Sequence, residues 1–267
     1  MRWRNVTCVS LPCDEDSNQI INSCRAGGDV IKSIVFGGLD GIITTFAIVA
    51  AVAGASLDIR VIILLGFSNL LADAVSMGLG DYLSSSAELD YQRQERKKEM
   101  WEFTNDPEGE KGEMIELYVD KLGFSEEDAR KVIDIYTSKP EYAEAFVDHM
   151  CTVELEFMPP GDDENPAWDG FVTFCSFIIF GSVPMWLYVI FFVAGYDDPD
   201  SDGVRFAIAC VVTALTLFLL GYVKAAITKM GNAFKSGALM MLNGSLAAAS
   251  AYLVGWGLEE ALDVEQC

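Results

Sequence analysis

The residues best equipped for chemistry in this sequence are carboxylates at helical spacing. Glu99 and Glu102 stand three apart, as do Glu110, Glu113 and Glu116, while Glu154 follows Met150 by four and Cys151 by three. Side chains three or four apart share one face of a helix, so each set projects as a local concentration of donors. Like charges at that spacing destabilise a helix by a few tenths of a kcal/mol per pair, and a divalent cation with oxygen ligands is a natural remedy. One such pair by itself reads better as a solvated acidic face; three clusters on separate helices, one with sulfur beside it, read as metal ligands. Sulfur next to carboxylate turns the preference from Mg²⁺ and Ca²⁺ toward softer first-row metals. There is no D-x-D-x-D-G loop of the EF-hand kind.

A second group lies where hydrocarbon should exclude it. Asp40 and Asp73 fall inside apolar runs. A charged Asp in such a run costs roughly 2.5–3.5 kcal/mol on insertion scales and marks an ion or proton path by default. Asp40 is eight residues inside Lys32, and Met77 is eight residues inside Ser85 on a helix of opposite direction. Both therefore sit about 12 Å below the same boundary at the helical rise, with Asp73 one turn further along from Met77. Gly37, Gly38, Gly41, Gly78 and Gly80 surround this level; they suit a cavity between the two helices or simple tight packing. An internal echo pairs Lys32-Ser33 with Lys235-Ser236 and Asp40-Gly41 with Asn243-Gly244, which would put Asn243 at the depth of Asp40 as a neutral oxygen.

The elements that must position these groups belong to two solvents. Half the chain is hydrophobic, yet its formal charge is −22. Five apolar runs, near 33–54, 61–84, 169–194, 204–227 and 234–257, are each long enough to cross a hydrocarbon core of about 30 Å. Between the second and third lie about 80 residues carrying 23 carboxylates. Their apolar residues recur at helical intervals, and their punctuation predicts helices over 86–104, 107–122, 126–137 and 140–156. Pro107 and Pro140 suit first turns, Ser125 with Asp128 a cap, and Gly123 a helix stop. The first of these helices should continue the second span without a break, Pro184 should kink the third span, and 158–166 should lead back to the membrane. The expected fold is all-α: a five-helix transmembrane domain with a helical cytosolic insert between helices 2 and 3.

Lys and Arg set the orientation. Sixteen of eighteen fall in the N-terminal segment, the insert or the connection between spans four and five, and Arg60 and Arg205 alone flank the opposite loops. By the positive-inside rule the N-terminus and insert are cytosolic and the C-terminus lies across the membrane. The expected divisions are a cytosolic tail 1–30, spans at 31–87, a cytosolic metal-binding domain 88–167, spans at 168–258 and a lumenal tail 259–267. No cleaved signal peptide is apparent in the first 29 residues. In reducing cytosol, Cys8, Cys13 and Cys24 would not form disulfides, and the Asn5-Val6-Thr7 sequon would stay bare. Phosphate-binding loops, nucleophile elbows and kinase signatures are absent, and the negative charge argues against nucleic acid.

The stretches Phe36-Gly37-Gly38-Leu39-Asp40-Gly41 with Thr45-Phe46-Ala47, then Ser76-Met77-Gly78-Leu79-Gly80-Asp81-Tyr82-Leu83-Ser84, then the Glu-rich insert, resemble the vacuolar iron transporter family over about 31–258. That resemblance implies a homodimer of five-span protomers in the lipid of a vacuolar or other acidic-organelle membrane, exchanging cytosolic Fe²⁺ for lumenal protons. No prosthetic group is implied; Fe²⁺, or Mn²⁺ or Zn²⁺, is the bound and transported ion. It makes Asp40 and Met77 the transmembrane metal and proton residues, and Glu99, Glu102, Glu110, Glu113, Met150 and Glu154 the ligands of the insert. Two departures stand out: Cys151 follows Met150 where the family commonly has a second methionine, and Asn69 replaces an early carboxylate of the second span, leaving Asp73 as its substitute. A membrane-anchored metal sensor or buffer is the alternative reading. A di-iron oxidase is not, because His149 is the chain's only histidine.

Overall fold

The computed structural model describes residues 16–159, 161, 164–194, 202–228 and 232–262. The Asn5 sequon, Cys8, Cys13, the acidic loop at 197–201, Lys229 and residues 263–267 lie outside them. Over the described residues the fold is all-helical: α1 Asp16–Gly54, α2 Ile59–Asn105, α3 Pro107–Asp120, α4 Glu126–Tyr136, α5 Ala143–Val153, α6 Pro166–Val193, α7 Asp202–Thr228 and α8 Ala233–Leu262. Five of these, α1, α2, α6, α7 and α8, are long and apolar enough to cross a membrane. The chain divides into two compact units, one of residues up to Tyr82 together with those from Asn165, the other Leu83–Glu164.

In the first unit α1 supplies Phe46, Val49, Ala50 and Val52 to an apolar cluster with Ile59 and Ile62 of α2, Met185 and Tyr188 of α6, Ala209 of α7 and Ala248 of α8. A smaller cluster joins Ile42 of α1 to Leu217 and Leu220 of α7. Large apolar side chains also stand outward in number, Leu64, Ile179, Val193 and Leu246 among them. Apolar residues both inside and outside a helix bundle are what hydrocarbon solvent permits, since lipid gives no penalty for exposing them. The α1 helix begins at Asp16, well before the apolar run that starts near 33.

Glycines on α1 serve contact with α6 rather than a cavity. A Cβ on Gly37 would stand 2.7 Å from the Thr173 carbonyl oxygen, and one on Gly41 2.6 Å from that of Phe177. Because the obstacle is backbone, no side-chain rotation could make room, and the helices approach this closely only through the missing Cβ.

The second unit starts with the polar end of α2, which runs from its apolar part to Asn105 as one helix. Asp106 accepts from the Gly109 amide with Pro107 in the first turn of α3, and Ser125 accepts from the Asp128 amide at the start of α4. Gly123 takes φ +72 after α3, the left-handed stop its type suggested. The expected helix at 140–156 is a 3-10 turn, Pro140–Tyr142, followed by α5, which ends at Val153 because Glu156 adopts φ +60. Met114, Tyr118, Ala129, Ile133, Phe146, Val147, Met150 and Cys151 form the core.

Gly41→Val should cost the protein its folded yield or lower its melting temperature, since overpacking costs about 1–3 kcal/mol or more where backbone blocks relief. Gly80→Ala, where nothing lies within 4 Å of the new atom, should be tolerated. Size-exclusion chromatography of heated samples checks both; equal behaviour of the two variants contradicts the packing role.

Candidate functional site

Three of the predicted ligands of the insert meet at one place. Glu99 from α2, Glu110 from α3 and Glu154 from the end of α5 each offer an oxygen, and these lie within 4.8 Å of one another. Separation of that order suits ligand oxygens arranged around a divalent cation. Glu99 is 2 % exposed, an unusual depth for a carboxylate. One oxygen of Glu154, Oε2, is buried with no hydrogen-bond partner. Glu102 is half-buried beside the group, and Glu113 and Glu116 are exposed. The charge of Glu113 is nonetheless felt at Glu110 and Glu154.

Mutual proximity and burial raise the proton affinity of all three. Glu99, beyond the apolar stretch of α2, is pushed up to about 7, first by burial and then by the charges of Glu154 and Glu102. Burial, then Glu113, raises Glu110 and Glu154 in the same sense. A hydrophobic setting disfavours the charged form and neighbouring carboxylates disfavour it further. The Lys98 ammonium, 3.8 Å from Glu99 and 3.6 Å from Glu102, offsets part of this.

The sulfur residues behave as core. Met150 and Cys151 are fully buried among Met114, Phe146 and Val147. Burial, with Glu99 and Asp148 nearby, pushes the Cys151 thiol up to about 11, so it is a neutral thiol at physiological pH. His149 is stacked on Tyr136 at 4.9 Å between centroids and pairs through Nε2 with the Tyr118 hydroxyl at 2.5 Å. Arg96 of α2 donates to Asp148 of α5 at 2.5 Å, tying two of the ligand-bearing helices. Neither Arg96 nor Lys98 was singled out from sequence; the i, i+4 spacing of Lys98 to Glu102 was the available signal.

In the membrane-spanning unit, Asp40 is half-buried on α1, within electrostatic reach of Asp73 on α2. Asp73 accepts a hydrogen bond from Asn69, one turn earlier on its helix. Among the described residues no hydrogen bond engages the Asp40 carboxylate; the Thr44 hydroxyl donates instead to the Asp40 backbone carbonyl at 2.9 Å. Met77 is half-buried against Leu70, Ala74 and Phe177. Asn243 lies on an exposed face of α8, while neighbouring Gly244 is buried toward Leu217 and Ile43. A third acid, Asp81, accepts from Thr173 of α6 at 2.5 Å and from Ser33 of α1 at 3.5 Å. Its position in the Ser76–Ser84 motif was the signal for it.

Fold and site together define a multispan all-α membrane protein with a carboxylate cluster in a separate helical unit. The chain belongs to the VIT family, whose profile matches residues 31–256. A vacuolar iron transporter of Toxoplasma gondii is 44% identical over 234 residues, covering 88% of this chain and 76% of the relative. One of Plasmodium falciparum is 38% identical over 229 residues, 85% of this chain and 81% of the relative. Vacuolar iron transporter 1 of Eucalyptus grandis is 28% identical over 226 residues, 84% of this chain and 85% of that protein.

An acid whose folded-state pKa is raised withdraws stability as pH climbs from its unfolded value to its folded one, here from 4.5 to about 7. Glu99→Gln should therefore raise the melting temperature of metal-free protein at pH 7.5 by a few degrees, and the gain should shrink toward pH 4.5. A thermal-shift series against pH measures it; a gain that grows on acidification contradicts the assignment.

Proposed function

We propose that this chain carries Fe²⁺ from the cytosol across the membrane of an acidic organelle, with protons moving the other way. Mn²⁺ is a second cargo of the same chemistry. The acidic unit faces the cytosol and collects the ion at Glu99, Glu110 and Glu154, with Glu102 and Glu113 adding negative potential and Met150, four residues before Glu154, adding a thioether. The ion then passes to Asp40 and Met77 in the bilayer, with Asp73 along the same path. Two copies of the chain form the working unit, and the C-terminus lies in the lumen.

The observation that carries this reading is the convergence of three carboxylate oxygens within 4.8 Å, one carboxylate nearly closed from solvent and another with an orphaned oxygen. Such an arrangement is costly when empty, because like charges in a desolvated place repel and an unpartnered buried oxygen loses its hydration. A cation relieves both at once. The names of the relatives supply iron and the vacuole. Asp40 supports the onward path: of the three acids in the first two spans, Asp73 and Asp81 are hydrogen-bonded, whereas among the described residues no hydrogen bond engages the Asp40 carboxylate.

Direction follows from competition. A carboxylate releases a proton to bind metal, so acid weakens metal binding. Glu99, with its pKa near 7, loads readily at cytosolic pH or above and poorly below it. At Asp40 a more acidic lumen returns a proton and frees the ion.

Proteoliposomes holding the full chain with an acidic interior should accumulate Fe²⁺ and lose protons as they do so. Asp40→Ala should reduce uptake to the rate of empty vesicles, and Glu99→Gln with Glu110→Gln should raise the Fe²⁺ concentration needed for half-maximal uptake. Undiminished transport by Asp40→Ala removes the path. Metal binding without any uptake in the parent chain leaves the sensor or buffer instead.

A further inference from the structure

Two helix ends in the small unit close in the same way with different residues. After α3, Gly123 takes φ +72 and the next amide, of Phe124, donates to the Tyr118 carbonyl at 3.1 Å. After α5, Glu156 takes φ +60 and the next amide, of Phe157, donates to the Cys151 carbonyl at 3.3 Å. In both, the bond returns to the residue five before the left-handed one. Glycine adopts that conformation freely and glutamate does not, so the second closure is strained where the first is relaxed. Strain of this kind persists only where its surroundings impose it, and it concentrates at functional positions.

A single ammonium meets this strained end. Lys121, immediately beyond α3, reaches the end of α5 and contacts the Val153 carbonyl at 3.2 Å, the Glu154 carbonyl at 3.5 Å and the Glu156 carboxylate at 3.1 Å. A lysine has three N–H donors, and three acceptors surround this one. The last carbonyls of a helix have no partner within it and carry the negative end of its dipole, so a cation there both satisfies and stabilises them. Glu154 sits at that same end, where helices fray most readily. Its carboxylate is also repelled by those of Glu99, Glu110 and Glu113.

We propose that Lys121 is a positioning residue for the carboxylate site, clamping the end of α5 so that Glu154 stays against Glu99 and Glu110. This rests on the reading that those carboxylates hold a divalent cation. An ordinary exposed ion pair between Lys121 and Glu156 would contribute little. The carbonyl contacts and the strained residue between them are what raise Lys121 above that level.

The sign of one substitution separates positioning from charge. Removing a nearby positive charge strengthens binding of a cation if charge is all that Lys121 supplies, whereas loss of a clamp weakens it. Mn²⁺ titrated into the full-length protein in detergent, followed by its spin-resonance signal, should bind the parent chain and be lost in Glu99→Gln. Lys121→Met should weaken Mn²⁺ binding about tenfold, the scale for groups that orient a ligand, and Lys121→Arg should recover most of it. Amide hydrogen exchange should quicken at 152–157 in Lys121→Met while the other helices of the unit keep their protection. Unchanged or tighter Mn²⁺ binding by Lys121→Met overturns the clamp. Should that variant not fold, Lys121→Gln takes its place: weaker Mn²⁺ binding supports the clamp, and unchanged or tighter binding overturns it. If the parent chain binds no Mn²⁺, or Glu99→Gln binds it equally, the carboxylate site itself has failed and the clamp falls with it.

Discussion

Repulsion among carboxylates is the constraint on which the small unit depends. Glu99, Glu110 and Glu154 are held within contact range although each disfavours the ionised state of the others. What opposes them is an apolar core in which Met114, Ile133, Phe146 and Val147 are closed from solvent. Each such side chain stabilises by roughly 1.5–3 kcal/mol on burial, which exceeds the repulsion of one surface pair several times over. Arg96 with Asp148 and Lys121 with the end of α5 then fix the helices along which the acids are strung. Hydrophobic burial provides the energy, and two cations provide the geometry.

In the membrane-spanning unit the same problem is met differently. Buried charge in hydrocarbon must be paired or used, and the three acids of the first two spans divide along that line. Asp81 is pinned by hydroxyls from two other helices, and Asp73 by the amide of Asn69. The close glycine contact of α1 with α6 fixes the backbone that carries Asp40 without engaging its carboxylate. A closely packed backbone under an acid that no hydrogen bond engages among the described residues is the arrangement expected where the acid must meet something that comes and goes.

Much of this was legible in the sequence because the signals were strong ones. Five apolar runs, prolines at first turns, Gly123 and the Ser125 cap each map onto an element or an end of one. The face-sharing of Glu99 and Glu102, or of Glu110 and Glu113, was legible too, but not which member of each pair turns inward. That choice is made by how α2, α3 and α5 pack, and spacing along one helix carries no information about its neighbours. The same gap hid Lys121, whose acceptors lie 32 to 35 residues ahead of it. The end of α5 escaped because a glutamate stands where a helix stop calls for glycine.

The stacked imidazole has a consequence for discrimination among ions. His149 is the chain's only histidine, and its ring is spent on Tyr136 and Tyr118. Zinc and copper gain most from nitrogen donors, so the three carboxylates gathered here, with no imidazole among them, give up much of the advantage those ions enjoy elsewhere. Manganous and ferrous ions lie at the weak end of the affinity order for divalent first-row metals. For a unit that hands its ion onward, as proposed above, a short dwell time is worth more than a tight hold.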